Sequence, residues 1–145
     1  MFQNILVATD GSPLSESAVD NAISFAREAG AKVTVVTATE PFHVMATDSA
    51  QLSETRQTYE RHVKAEAARY LGNAERKAKA QGVQCHVIQV EAEHPYKAII
   101  DTAEKFGCDL IAMASHGRRG VSALVIGSVT NKVLTHSSIP VLVYR

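Results

Sequence analysis

Leu110-Ile111-Ala112-Met113-Ala114 is an unbroken apolar run. It passes into Ser115-His116-Gly117-Arg118-Arg119-Gly120, and a later pair, Gly127-Ser128, opens Val129-Thr130-Asn131-Lys132-Val133-Leu134. A strand with one wet face alternates polar and apolar residues, whereas a strand covered on both faces reads as continuous. The stretch therefore predicts a buried strand, a glycine-containing loop and a helix. Working outward, Ile5 to Ala8, Val33 to Ala38 and Val141 to Val143 are runs of the same kind. Cys85 to Val90 is interrupted by His86 and Gln89, which suits a less covered strand near one edge.

Helical stripes lie between the runs. Leu14, Ala18, Ala22, Phe25, Ala26 and Ala29 form one; Tyr59, Val63, Ala67, Tyr70, Leu71, Ala74 and Ala78 a longer one; Tyr96, Ile99, Ile100 and Ala103 a third. Ser12-Pro13 supplies an N-cap and a residue suited to the first helical position, and Gly30 and Gly82 stand where C-terminal caps belong. His94-Pro95 marks the turn before the third helix. The segment from Glu40 to about Leu52 has no steady period and reads as a long, mobile loop. The order β-α-β-α-β-α-β-α-β, with right-handed crossovers, predicts an α/β fold: an open parallel sheet, doubly wound, with helices on both faces. With no repeat or dividing linker, residues 1–145 are expected to form one domain.

Composition narrows the function. The chain has 145 residues, of which 46% are hydrophobic and 21% charged, enough for a real core. Fifteen Lys+Arg balance 15 Asp+Glu, so no long-range attraction to a polyanion is expected, and nucleic-acid and anionic-membrane partners are disfavoured. No apolar run approaches the roughly 18 residues of a membrane span, and Met1 leads directly into a strand-like segment, so the expected location is cytoplasmic. Cys85 and Cys108 lack a C-x-x-C partner and read as buried, reduced thiols. His43, His62, His86, His94 and His136 show no metal-ligand spacing, so no intrinsic metal site is expected.

In open α/β sheets, ligands sit beyond the carboxyl ends of the strands where the winding reverses. The first run ends in Thr9-Asp10-Gly11-Ser12-Pro13, which is either an Asx-type turn with an N-cap or part of a binding site. The fourth run ends in the glycine-containing loop, and Gly127-Ser128 opens the next helix. A helix N-terminus offers unpaired N–H groups and partial positive charge, and a glycine there lets a phosphate approach the backbone. Ser128 and Thr130 add hydroxyl groups. Gly117 and Gly120 would give the loop the φ freedom to fold over phosphates, and Arg118 or Arg119 could offset their charge. His116 either touches phosphate or ribose or serves as a hydrogen-bonded structural element. The segment is neither a P-loop, since the required lysine is missing, nor G-x-G-x-x-G, and no general base stands beside it. Holding a nucleotide is better supported than cleaving it.

From Asn4-Ile-Leu-Val-Ala-Thr-Asp10 through Asp109 to Arg118 and on to Ile139-Pro-Val-Leu-Val143, the chain resembles the universal stress protein family. ATP-binding members of that family carry G-x2-G-x9-G-[ST] between the fourth strand and fourth helix; here the register reads Ala114-x2-Gly117-x9-Gly127-Ser128. Ala114 departs from the pattern, adding a methyl group where the backbone should pass close to the nucleotide. The resemblance implies a five-stranded sheet of order 3-2-1-4-5 that brings Asp10 beside Ala114. It implies ATP or another adenine nucleotide as ligand, with magnesium carried by the nucleotide near Asp10. Ala8, Thr9 and Asp10 would border the site, with Asp10 meeting the ribose or a metal-bound phosphate. Ala38 would touch adenine, Met113 to Gly117 would line the pocket, and Gly127, Ser128, Val129 and Thr130 would bind phosphates. The resemblance further implies a homodimer paired through the last strand, Pro140 to Val143, an apolar edge that needs a cover. Three functions are then in view: a stress-response or signalling protein that binds nucleotide; a slow ATPase or nucleotidyl-transfer enzyme, which would lack an S-G-G-x-D-S loop and an H-x-G-H pair; and a nucleotide-free interaction module, favoured by Ala114 alone.

Overall fold

Strand β1 (Asn4–Ala8) carries Ile5, Leu6 and Val7, all essentially without solvent exposure, at the centre of one five-stranded parallel sheet. The computed structural model describes residues 1–43, 49–117 and 126–145, with residues 49–54 described as backbone only. After β1 come α1 (Pro13–Ala29), β2 (Lys32–Thr39), α2 (Ser49–Ala80), β3 (Cys85–Glu91), α3 (Pro95–Lys105), β4 (Leu110–Ala114), α4 (Ser128–His136) and β5 (Val141–Tyr144). The strand order is β3-β2-β1-β4-β5, as expected. β1 sits between β2 and β4, with Ile5 opposite Val33 on one side and Leu110 on the other.

Alternation along each strand sends side chains to two cores. Ile5 and Val7 join Val33, Val35, Leu110, Ala112 and Ala114 under α1 and α2. Leu6, Val36, Ile111 and Met113 join Ile99, Ile100, Ala103 and Val133 under α3 and α4. Two helices on each face make the sheet doubly wound. The chain steps outward from β1 through β2 to β3, then crosses back to β4 and continues to β5. The winding reverses between β1 and β4, which in open α/β sheets is where the ligand crevice lies, beyond the carboxyl ends of the strands.

Local signals act as their chemistry requires. The Ser12 hydroxyl accepts from the Ser15 N–H at the start of α1, with Pro13 in the first turn, and Gly30 closes the helix at φ 68°. Gly82 is likewise left-handed, at φ 70°. Three expectations change. In α1, Val19 and Ile23 are fully buried while Phe25 is half in solvent, because the face toward the sheet is centred on Ala18, Ala22 and Ala26. The proposed loop from Glu40 to Leu52 ends earlier, since α2 already begins at Ser49; residues 44–48 lie outside the described residues. Ala50, Gln51, Leu52 and Glu54 are good helix formers that need no buried stripe to continue the helix upstream, and residues 55–58 are exposed. Finally, Cys85 is only half-buried because β3 is an edge strand, whereas Cys108 is buried; both thiols are free.

Candidate functional site

Thr9 and Asp10 leave the end of β1 and the chain turns at Gly11, whose φ of 78° favours glycine. The Asp10 carboxylate is fixed by the start of α1: Oδ1 accepts from the Ser12 N–H and the Ser15 hydroxyl, each at 2.9 Å. Thr9 is buried, its N–H donating to Val36 O at 3.0 Å and its carbonyl accepting from the Thr37 hydroxyl at 3.0 Å. Its own hydroxyl donates to Glu16 Oε1 at 3.2 Å and accepts from the Gly11 N–H at 3.1 Å. The turn is therefore an Asx-type turn and an N-cap, and it also holds the carboxylate beside Gly117.

Across the crevice, β4 ends at Ala114, and Ser115 continues its pairing by donating its N–H to Tyr144 O at 2.7 Å. Gly117 then comes so close to β1 that a Cβ on it would collide with Asp10 Oδ2. Its backbone is not left-handed, so the expected need for φ freedom at Gly117 is corrected: the residue is glycine because of a close approach. Gly127 repeats the theme. Its N–H donates to Ser115 O at 2.6 Å, and a Cβ would stand 3.1 Å from the His116 Cα. As the N-cap of α4, Gly127 directs the first-turn N–H groups of Ser128, Val129 and Thr130 toward the same end of the sheet. These groups have no intrahelical acceptor and carry the positive end of the helix dipole.

The sequence-derived residues thus fall into two groups. Asp10, Gly117, Gly127 and the α4 N-terminus converge at the β1–β4 crevice, with the half-buried Ala8 and His116 beside them. Others are engaged elsewhere. The buried Thr130 hydroxyl donates to Ala114 O at 2.8 Å, which ties α4 to β4. Met113 is buried in the core under α3 and α4, and the Ala114 methyl is absorbed into the opposite core, under α1 and α2. The half-buried Ala38 ends β2, one strand away. His116 Nδ1 lies 3.2 Å from the Ser115 hydroxyl. Arg118, Arg119 and Gly120 lie outside the described residues.

Sequence reasoning missed the supports behind the turn: Ser15, Glu16, Thr37, Tyr70 and Lys77. The spacing Ser12-x-x-Ser15 hinted at the first, but nothing local marks the residues of α2. Lys77 Nζ lies 2.8 Å from Asp20 Oδ1 and 3.4 Å from Glu16 Oε2. Burial pulls the Lys77 pKa down, but hydrogen bonding and charge from Asp20 and Glu16 outweigh it and raise it. Among the described residues no cluster of His, Cys, Asp and Glu could hold a metal by itself, and no helix is long and apolar enough to cross a membrane.

The family model described as the universal stress protein family matches residues 1–145. The chain belongs to the universal stress protein family. Universal stress protein YxiE of Bacillus subtilis is 34% identical to it over 100% of both chains. Among solved structures, hypothetical protein MJ0577, a universal stress protein of Methanocaldococcus jannaschii, superimposes with a TM-score of 0.84 at 26% identity, covering 99% of this chain and 95% of that one. A universal stress protein in complex with cAMP superimposes with a TM-score of 0.72 at 26% identity, over 99% and 97% of the two chains. This universal stress protein therefore shares the family's doubly wound sheet along its whole length, and with it the reversal between β1 and β4.

Proposed function

We propose that this family member is an adenine-nucleotide-binding protein, with ATP as its ligand, acting in a cytoplasmic stress response or in signalling. The observation that carries the reading is the convergence of Asp10, Gly117 and the Gly127-capped N-terminus of α4 at the β1–β4 reversal. Each supplies a different recognition element. The α4 N–H groups and dipole suit a phosphate chain. Asp10 suits a ribose hydroxyl or a magnesium ion carried by the phosphates, and its carboxylate is already oriented by Ser12 and Ser15. Magnesium would neutralise phosphate charge there. Ala8, Ala38 and His116, with the backbone of Thr9, Met113 and Ala114, would border the ligand, and Arg118 would add charge. The complex of a relative with cAMP supports the adenine class of ligand.

The same site argues against fast chemistry. Asp10 is committed to a turn, the Thr130 hydroxyl is committed to Ala114 O, and no lysine occupies the P-loop position. Turnover is at most slow ATP hydrolysis. The competing reading, a nucleotide-free interaction module, rests on Ala114 in place of the first motif glycine. Burial of its methyl in the core removes most of that argument. We further propose a single 1–145 domain that pairs with a second copy through the open edge of β5, whose residues are all half-buried in the single chain.

Calorimetric titration of nucleotide-free protein with ATP, ADP, AMP and cyclic AMP in magnesium, beside a Gly127→Val/Ser128→Ala variant, tests the reading. Stoichiometric binding by the parent and its loss in the variant are expected. Absence of binding to any of the four by the parent would refute it. Light scattering on the same samples measures the dimer.

A further inference from the structure

Gly11 is covered by a side chain that lies 59 positions away in sequence. A Cβ on Gly11 would overlap the Tyr70 ring at its Cε1 and Cζ, so the ring lies against the turn that follows Asp10. Tyr70 is buried on α2, and its orientation is held by its own helix. Its hydroxyl donates to Glu66 Oε2 at 2.7 Å, Arg69 donates to the same oxygen at 2.7 Å, and the Arg69 guanidinium stands 4.9 Å from the ring centroid. Two helical turns further along the same face, Lys77 reaches the same region by a polar route. Lys77 pairs with Glu16 Oε2, Glu16 Oε1 accepts the Thr9 hydroxyl proton, and the Thr9 oxygen accepts the Gly11 N–H. Asp10 therefore sits between two residues, Thr9 and Gly11, that are both restrained from α2.

We propose that α2 controls the nucleotide site, with Tyr70 as a positioning residue for the Asp10–Gly11 turn, so that nucleotide affinity and the docking of α2 on that turn are coupled. The inference rests on the nucleotide reading above and adds a regulatory element to it. Movement of α2 away from the sheet withdraws the ring from Gly11 and the ammonium from Glu16 together, and the carboxylate loses its fixed position beside Gly117. By linkage, nucleotide must hold α2 down by the same factor. A partner or condition that lifts α2 would then release nucleotide without touching the phosphate-binding residues.

The test compares ATP affinity, with magnesium, of the full-length parent, Tyr70→Ala, Tyr70→Phe and Leu71→Ala, the last removing a core side chain of the same helix. Tyr70→Ala is expected to weaken binding about tenfold or more, while Tyr70→Phe and Leu71→Ala stay within about twofold of the parent although Leu71→Ala melts earlier. In the nucleotide-free parent, the Gly11 Hα resonances are expected to be shifted by the Tyr70 ring current, and to lose that shift in Tyr70→Ala. Nucleotide should slow amide exchange in residues 66–78 more in the parent than in Tyr70→Ala. If Tyr70→Ala does not fold, Tyr70→Leu replaces it with the same expectations. Parent-like affinity in the Tyr70→Ala or Tyr70→Leu variant overturns the coupling, and an equal loss in Leu71→Ala with its α2 amides as protected as in the parent overturns the positioning role of Tyr70. Absence of the ring-current shift overturns the contact itself. A parent that shows the shift but binds no nucleotide overturns the nucleotide reading instead.

Discussion

Gly117 and Asp10 are 107 positions apart in sequence and occupy adjoining space, and this sets a limit on what either residue can become. A Cβ at Gly117 collides with a carboxylate that cannot swing freely, because the Ser12 N–H and the Ser15 hydroxyl hold its other oxygen. Gly117→Ala is therefore expected to displace Asp10 while leaving the fold intact, since the clash is at the crevice and the two cores are untouched. Loss of one charge-assisted contact of about 1.5–3 kcal/mol predicts nucleotide affinity reduced by about tenfold or more. Calorimetry measures it, and unchanged circular dichroism checks the fold. Substitution at Gly127 acts differently, because the neighbour there is backbone, the His116 Cα, which cannot rotate away.

The helices that border the crevice begin in different ways. α1 starts where the Ser12 hydroxyl accepts the Ser15 N–H, and the Ser15 hydroxyl in turn donates to Asp10, so the cap and the site share one network. Ser12→Ala should cost about 1 kcal/mol of stability by loss of the cap, read as a lower denaturation midpoint in urea. α4 begins instead at Gly127, with no side-chain cap, and its free first-turn N–H groups are what a phosphate would satisfy. α2 is the element whose function was least expected. Its second half packs on the sheet through Ala67, Leu71, Ala74 and Ala78, and that half also carries Tyr70 and Lys77.

Over the whole molecule, several weak acids are held in their neutral forms. Burial, reinforced by the charge of Glu75, pushes the Cys85 thiol from 9.0 up to about 11, and burial raises Cys108 and Tyr144 in the same direction. An acid whose folded pKa is raised contributes stability that is fully present below its unfolded pKa. Between about pH 9 and pH 11 the unfolded chain ionises Cys85 while the folded chain does not, so stability falls as pH rises through that window. Urea midpoints on either side of the window measure the drop, and Cys85→Ser should make it smaller. The two cores bracket the sheet that carries this strand, so loss of stability at alkaline pH is expected to open the fold cooperatively.

The sequence alone determined the central strands, because a strand covered on both faces reads as a nearly continuous apolar run, and Leu110 to Ala114 and Ile5 to Ala8 do. It also determined the helix caps, since Ser12, Pro13, Gly30 and Gly82 act through bonds and dihedrals within a few residues of themselves. The arrival of Asp10, Gly117 and Gly127 at one end of the sheet was legible only through the family motif and strand order. The tertiary structure alone decided what Gly117 and Gly127 are for. Gly117 read as a hinge and proves to be a point of closest approach. The structure also decided where α2 begins, since helix formers without an apolar stripe carry no period to count. Above all it decided which residues stand behind the site: Tyr70 on Gly11 and Lys77 on Glu16 come from chain segments that meet only when α2 packs beside α1, and contacts made through space leave no pattern along the chain.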